Sequence, residues 1–226
     1  MKVKYVFMDI DGTMTRFLTG KEFQVSPKSL LEDLVMEKNG LSREEAWQQI
    51  MLCGDINIHC LSEFLPALGI DSEVYFQALL DSVAPNVEGC EDTKRFLPYL
   101  KENGYQLYTA TTNSKFITNV KLSLCGLADI NGCPYLTGYY PGCAFLDPKG
   151  KFAPDYYDRI LADGGFAPEY CMMIGDEPLS DSIPAMKAGM HYGVNIDRKQ
   201  KEKYCEKDGI LFINSLDVLI PLLEKV

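Results

Sequence analysis

Two aspartates in the segment VFMDIDGT, Asp9 and Asp11, are the first candidates for chemistry in this chain. Residues i and i+2 of an extended chain point the same way, so both carboxylates can face one pocket. Two close carboxylates repel each other, and each resists ionisation unless a cation lies between them. A hard, oxygen-liganded ion such as Mg²⁺ is the natural partner of such a pair. A plain Asp-Gly turn is the alternative interpretation.

A polar cluster at residues 111–114 (TTNS) follows the apolar segment YQLYTA. The side chains of Thr111, Thr112 and Asn113, together with the first amides of a following helix, can hold a phosphate. Ordinary helix capping explains the same residues without a ligand. The cluster therefore indicates a phosphate-binding site only in combination with other motifs.

Lys151 lies three residues before Pro154, a residue that favours the start of a helix. A lysine just ahead of a helix can hold a nucleophile and a phosphate together electrostatically. Lys149 is a close competitor for this role, and many surface lysines are merely solvated.

Two more carboxylates, Asp176 and Asp181, lie in the segment GDEPLSD directly after the apolar run CMMI. Carboxylates at a strand end and five residues later can complete a metal site. A loop with a helix cap is the alternative. The carboxyl ends of the strands in a doubly wound sheet gather along one edge, where ligands bind, so all four motifs can meet there.

The elements that must position these residues alternate between apolar strands and helices. Predicted strands cover Lys2–Met8, Tyr105–Thr111, Tyr170–Ile174, His191–Asn195 and Ile210–Ile213. Predicted helices cover Asp92–Asn103, Lys115–Leu124 and Pro154–Leu161, and Ser215 caps a last one. This alternation predicts an α/β fold with a Rossmann-like parallel sheet and helices on both faces.

The segment between Phe17 and Pro85 has helical patterns instead, including a capping-box signature at Ser42 and Glu45. We therefore predict a core domain of residues 1–15 and 87–226 and a small helical cap domain of residues 16–86. Residues 128–150 are rich in Gly, Pro and Tyr, which predicts a loop with one or two short strands.

The four motifs, in this order, resemble those of the haloacid dehalogenase-like (HAD) superfamily. Its first motif, hhhhDxDGT, appears as VFMDIDGT, and its fourth, GDxxxxD, as GDEPLSD. Its second is a Ser/Thr at a strand end, matched by Thr111 with Thr112 as an alternative register. Its third is the Lys of K-x-x-P, matched by Lys151 in KFAPDYY. The stretch between the second motif and Lys151 is a few residues longer than is usual, and the helical insert looks like a C1 cap.

This resemblance implies a role for each matching residue. Asp9 would be the nucleophile that forms an aspartyl-phosphate, and Asp11 the general acid and base. Mg²⁺ would be held by the Asp9 carboxylate, the Asp11 backbone carbonyl and Asp176, with Asp181 as a ligand or an orienting group.

The phosphoryl oxygens would be stabilised by Thr111 and Lys151, within a phosphate-binding region that includes Thr112 and Asn113. A carboxyl group at position 11 is needed in this family when the leaving group is an alkoxide. Asp11 therefore favours a phosphomonoesterase acting on a small phosphorylated metabolite. A phosphomutase similar to β-phosphoglucomutase and an activity like that of pyrimidine 5'-nucleotidase are the alternatives. A non-catalytic binding protein on this scaffold is the alternative from another class.

The composition limits the classes of partner and the cellular location that we expect. The formal net charge of −10, with no Lys/Arg stripe, disfavours nucleic acid and anionic membranes. The start MKVKYVFMDI has no secretory pattern, and no apolar run approaches bilayer length. The eight cysteines include no CxxC pair. Cys53 and Cys60 flank His59, but the pattern favours free thiols in the core over a metal site there. We therefore expect a cytoplasmic protein with reduced cysteines.

Overall fold

The computed structural model describes residues 1–145 and 148–225. The strands are β1 (Lys2–Val3), β2 (Tyr5–Met8), β3 (Thr15–Phe17), β4 (Val87–Gly89), β5 (Gln106–Ala110), β6 (Gly138–Tyr140), β7 (Cys171–Gly175), β8 (Tyr192–Ile196), β9 (Tyr204–Lys207), β10 (Ile210–Ile213) and β11 (Glu224–Lys225). The helices are α1 (Pro27–Asn39), α2 (Arg43–Met51), α3 (Leu65–Leu68), α4 (Ser72–Val83), α5 (Glu91–Glu102), α6 (Lys115–Ser123), α7 (Tyr156–Gly164) and α8 (Ser182–Lys187). Short 3-10 turns cover Leu61–Phe64, Gly150–Phe152, Pro168–Tyr170 and Leu216–Leu222.

The core is a seven-stranded sheet with the order β6-β5-β2-β7-β8-β10-β9. All neighbouring strands are parallel except β9, which pairs antiparallel with β10 at the edge. The strand β2, which leads into Asp9, lies between β5 and β7. The segments after β2, β5 and β7 therefore emerge side by side at one edge of the sheet.

Both faces of this sheet are buried, because alternate residues of the central strands enter two different hydrophobic clusters. Val6 and Met8 pack on one face with residues of α5, among them Phe96. Phe7 packs on the opposite face with residues of α7, among them Tyr156. Burial on both sides explains why these strands are apolar runs in the sequence. The predicted α/β fold is confirmed.

The helical insert forms a third hydrophobic cluster, which also includes residues of α6 from the core, such as Val120. Its helices begin and end where the sequence signals them: Ser26 caps α1, Gly40 ends it with a φ of 66°, and Ser42 and Glu45 form a capping box on α2. The antiparallel pair β3–β4 joins the insert to the core. This pair lies beside the predicted domain boundary at residues 16–86, and the division into two domains stays a prediction.

Several elements differ from the sequence predictions. The helix predicted from Pro154 spans Tyr156–Gly164, and the last predicted helix is the 3-10 turn Leu216–Leu222, with Ser215 accepting a hydrogen bond from the Asp217 amide. Residues 128–150 contain one short strand, β6, as predicted, while residues 146 and 147 lie outside the described ranges. None of the helices in those ranges has the length and apolar character that a bilayer crossing requires.

Candidate active site

Three carboxylates meet at the carboxyl edge of the sheet, where β2 and β7 end. Asp9 directly follows β2, and its amide donates a hydrogen bond to the carbonyl of Ile174 at 2.9 Å. Asp176 directly follows β7, and Asp181 precedes α8. Carboxylate oxygens of Asp9, Asp176 and Asp181 all lie within 4.8 Å of one another. Such a group of hard oxygen donors can hold a divalent cation such as Mg²⁺.

Two glycines make this approach possible. A Cβ on Gly12, whose φ is 72°, would lie 1.8 Å from a carboxylate oxygen of Asp176. A Cβ on Gly175 would lie 2.1 Å from a carboxylate oxygen of Asp181. Any larger residue at either position would therefore displace one of the clustered aspartates.

Lys151 lies beside this group and is buried, with 4% of its side chain exposed. Its Nζ is 3.2 Å from Oδ1 of Asp9 and also contacts Oδ1 of Asp181. Burial lowers the pKa of Lys151, but the charges of Asp9 and Asp181 outweigh burial and raise the pKa overall. The lysine is therefore a cation held against the proposed nucleophile, whereas Lys149 lines a neighbouring cleft.

The close approach of the three aspartates is accompanied by raised pKa values of two of them, Asp9 and Asp176. Burial, followed by the charge of Asp181, raises the pKa of Asp9, and the charge of Lys151 opposes that rise. The carboxyl of Asp176 is exposed at the rim, yet partial burial and the charges of Asp9 and Asp181 raise its pKa to about 7. A cation among these oxygens would relieve the repulsion, so the three residues fit a divalent metal.

Asp11 lies apart from that group and has its own lysine. Nζ of Lys121 is 2.7 Å from both carboxylate oxygens of Asp11 and 2.6 Å from Oε1 of Glu22. Asn113 donates from Nδ2 to Asp11 at 2.8 Å and accepts from Lys121 at 2.9 Å. The strand has ended at Met8, so its alternation no longer sets the direction of Asp11. Assignment of the Asp11 carbonyl to the metal stays a prediction.

Lys121 and Glu22 were missed by the sequence analysis because neither lies in a motif. Lys121 is on α6 within the segment NVKLS, and its side chain is fully buried. The available signal was a lysine at a position of α6 flanked by the apolar residues Val120 and Leu122. A buried lysine needs carboxylate partners, and these turn out to be Asp11 and Glu22.

The two threonines of the second motif have different surroundings. Thr111 is fully buried, and its hydroxyl accepts hydrogen bonds from the amide and the side chain of Asn113, at 3.2 and 3.0 Å. Thr112 is exposed and lines the cleft between the insert and the core. Thr111 thus orients Asn113, while Thr112 is open to a ligand, and the choice of the phosphate-binding hydroxyl stays open.

A cleft of about 390 Å³ separates the helical insert from the core. The insert contributes apolar and polar walls, including Phe23, His59 and Tyr75, and the core contributes Asn113 and Lys149. Glu22 and Asn113 also border this cleft, so the space begins beside the Asp11 network. A small ligand in the cleft would therefore lie beside Glu22 and Asn113, the residues that share the Asp11 network.

Comparison with known proteins gives one family and many similar folds. A family model described as haloacid dehalogenase-like hydrolase matches residues 3–189. A search of the curated proteins found no match.

Similar solved structures include a HAD phosphatase from Thermococcus onnurineus, with 23% identity, a TM-score of 0.55 and coverage of 98% of this chain and 97% of that chain. A protein from Thermotoga maritima named provisionally as a β-phosphoglucomutase has 15% identity, a TM-score of 0.54 and coverage of 97% and 98%. A 2-haloacid dehalogenase from Pseudomonas syringae has 20% identity, a TM-score of 0.56 and coverage of 97% of both chains. The three names differ, so these likenesses establish the fold alone.

Proposed function

Because this chain belongs to the haloacid dehalogenase-like hydrolase family, we propose that it is a Mg²⁺-dependent phosphomonoesterase acting on a small phosphorylated metabolite. The observation that carries the proposal is that each carboxylate of the first motif has its own buried lysine. Lys151 contacts Asp9, and Lys121 contacts Asp11. Two aspartates held apart in this way can perform two different jobs on one ester.

In the first step, a carboxylate oxygen of Asp9 attacks phosphorus and forms a new P–O bond. The bond between phosphorus and the ester oxygen breaks, and the protonated form of Asp11 gives that oxygen its proton as it leaves. Lys151, beside Asp9, stabilises the negative charge of the phosphoryl oxygens. The product is an aspartyl-phosphate and a free alcohol.

In the second step, Asp11 takes a proton from water, and the water oxygen attacks phosphorus. The bond from phosphorus to Asp9 breaks, which releases inorganic phosphate and restores both carboxyl groups. Asp9, Asp176 and Asp181 would hold the divalent cation. When bound, that cation neutralises phosphoryl charge as the reaction proceeds.

Asp11 is the residue that favours phosphoester chemistry over dehalogenation. A halide leaves as a stable anion and needs no proton, whereas an alkoxide is a poor leaving group. The Asp11 carboxylate lies 2.7 Å from Lys121 and accepts from Asn113, so the side chain is held in place. We also place the protein in the cytoplasm, because its eight cysteines are all free thiols.

The test is a screen of phosphorylated metabolites for release of inorganic phosphate, with each product checked for an isomerised phosphate ester. Turnover should require Mg²⁺, stop in EDTA and return when Mg²⁺ is restored, while Ca²⁺ should substitute poorly because its coordination is larger and looser.

Asp9→Asn should abolish both turnover and phosphorylation of the protein. Asp158 is exposed, and Asp158→Asn should change neither. Full turnover in EDTA, or labelling of Asp9→Asn, would refute the proposal. An isomerised ester would identify a phosphomutase.

A further inference from the structure

A second group of metal-binding side chains lies on the cleft, and the proposed hydrolysis does not use it. Sγ of Cys60, a carboxylate oxygen of Glu63 and Sγ of Cys143 all lie within 4.8 Å of one another. Cys60 and Glu63 belong to the helical insert, whereas Cys143 lies in the core after β6. Both cysteines line the cleft, so the group bridges its two walls.

The insert holds its two donors in a fixed relation. The Cys60 amide donates to Oε1 of Glu63 at 3.1 Å at the start of the 3-10 turn Leu61–Phe64. Nδ1 of His59 lies 2.9 Å from the other oxygen, Oε2. Burial raises the pKa of Glu63, but the hydrogen bonds from Cys60 and His59 outweigh it and lower the pKa overall. The hydrogen bond from the Cys60 amide therefore fixes the orientation of the Glu63 carboxylate.

The core contributes the second sulfur donor, Cys143. A hydrogen bond from the Cys60 thiol, assisted by the positive charge of Lys149, lowers the pKa of Cys143 to about 7. The thiolate is the form that binds metals. The geometry thus places two sulfur donors and one carboxylate within 4.8 Å of one another.

We propose that Cys60, Glu63 and Cys143 bind a thiophilic divalent cation, with Zn²⁺ as the best match, and that this ion ties the insert to the core across the cleft. Two sulfur donors and one carboxylate suit Zn²⁺ and disfavour Mg²⁺, which needs oxygen ligands. Both thiols release their protons to solvent as the two sulfur–metal bonds form, and water completes a tetrahedral set.

This site is distinct from the carboxylate group at Asp9. Its two sulfur donors are cysteines, which the sequence predicts to be reduced thiols, and the partner of Cys60 is the distant Cys143 rather than the nearby Cys53. Because donors from both walls are needed, occupancy would join the insert to the core across the cleft that Cys60 and Cys143 line.

The experiment is a Co²⁺ titration of the full chain under reducing conditions, with excess Mg²⁺ present. Thiolate-to-cobalt charge transfer gives an absorption band that carboxylate ligands do not produce, so the band reports this site alone. The wild type should bind one equivalent with that band, and one equivalent of Zn²⁺ should displace it. Zn²⁺ should also raise the thermal midpoint of the wild type, because it binds the folded form.

Single variants assign the donors. Cys143→Ser and Cys60→Ser should each weaken binding by more than about 100-fold, since loss of even an outer partner of a metal ligand costs about 10–100-fold. Glu63→Gln keeps an acceptor for the Cys60 amide and should weaken binding to a smaller extent. Cys53→Ser is the matched control, because Cys53 is a half-buried cysteine of the insert outside the group, and it should bind like the wild type.

Far-UV circular dichroism on every variant separates a lost ligand from a lost fold, and Glu63→Gln provides an independent assignment that leaves both cysteines in place. The proposal is overturned if the wild type shows no charge-transfer band, or if Cys143→Ser retains it. It is also overturned if Cys60 and Cys143 form a disulfide that persists under the reducing conditions of the titration.

Discussion

Two buried lysines flank the first motif, and the difference between their surroundings separates the two halves of the candidate site. The side chain of Lys151 is 4% exposed and that of Lys121 is fully buried, and each contacts two carboxylates. The partners of Lys151, Asp9 and Asp181, both belong to loops at the carboxyl edge of the sheet. The partners of Lys121 are Asp11 and Glu22, and Glu22 belongs to the helical insert.

The two halves therefore depend on different parts of the molecule. The half around Lys151 is built within the core, so its geometry does not require the insert. The half around Lys121 includes a carboxylate of the insert, so we expect the position of the insert to affect the charge around Asp11. We expect nucleophilic chemistry to depend on the half around Lys151 and acid–base chemistry on the half around Lys121.

The largest expected effect is that of Asp11→Asn. Hydrolysis of an alkyl phosphate needs an acid for the leaving group, so turnover should fall by about 10²–10⁴-fold. With p-nitrophenyl phosphate the leaving phenolate is stable, and only the second step still needs Asp11. This variant should therefore release one equivalent of nitrophenol in a burst and then stall as phosphoprotein.

Quenched-flow measurement of nitrophenol together with mass spectrometry of the protein checks this prediction. Asp9→Asn in the same background should remove both the burst and the label, since the atom that accepts phosphorus is gone. Wild-type turnover of both esters by Asp11→Asn would show that Asp11 is not the acid–base, and the proposed division would fail.

The next effect concerns the other half, through Lys151 and Lys149. Lys151 contacts the Asp9 carboxylate, whereas Lys149 lines the neighbouring cleft. Lys151→Ala should lower kcat by about 10²–10³-fold, the usual effect of losing one electrostatic stabiliser. Lys149→Ala should leave kcat unchanged. Steady-state kinetics on both variants decides, and equal small effects would show that the third motif has been placed wrongly.

The two halves also differ in how well the sequence predicts them. Asp9, Asp176 and Lys151 follow apolar runs or stand before a predicted helix, so alternation and helix signals place them at one sheet edge. The apolar strands β5, β7, β8 and β10 agree with the predicted bounds to within one residue at each end, while the predicted strand Lys2–Met8 is divided into β1 and β2. The edge strand β9 was missed because its exposed, polar residues (YCEK) carry no core pattern.

Lys121 and Glu22 could not be predicted, because their contact joins residues about 100 positions apart through the packing of the insert on α6. Local patterns carry no information on such a pairing. The same holds for Cys60 and Cys143, which lie in the insert and in an irregular loop of the core. The side-chain contacts that local patterns did not predict therefore lie where the insert meets the core.

A smaller effect should appear in the pH dependence of Mg²⁺ binding. The pKa of Asp176 is raised to about 7, so below that pH a proton must leave before the carboxylate can bind the metal. Mg²⁺ affinity should therefore fall by about tenfold per pH unit below pH 7 and level off above it, as expected for one displaced proton. Isothermal titration calorimetry in two buffers of different ionisation enthalpy measures both the affinity and the proton released. Affinity that does not change between pH 6 and 8 would contradict this assignment.

The smallest effect tests the coupling between the insert and Asp11 directly. Glu22 is 35% exposed and pairs with Lys121, so Glu22→Gln keeps the shape of the side chain and removes its charge. Turnover of an alkyl phosphate should fall by about 2- to 5-fold, since a partly exposed ion pair contributes about 0.5–1 kcal/mol.

Glu32→Gln is the matched control, because Glu32 is a glutamate of the insert outside the site. Its Oε2 lies 2.8 Å from Nη1 of Arg43, and the substitution should leave kcat unchanged. The decisive comparison uses Asp11→Asn as the background: if Lys121 transmits the charge of Glu22 through Asp11, Glu22→Gln should have no further effect on turnover there. A purely structural role for Glu22 would instead give the same loss in both backgrounds, and the insert would then be uncoupled from the acid–base.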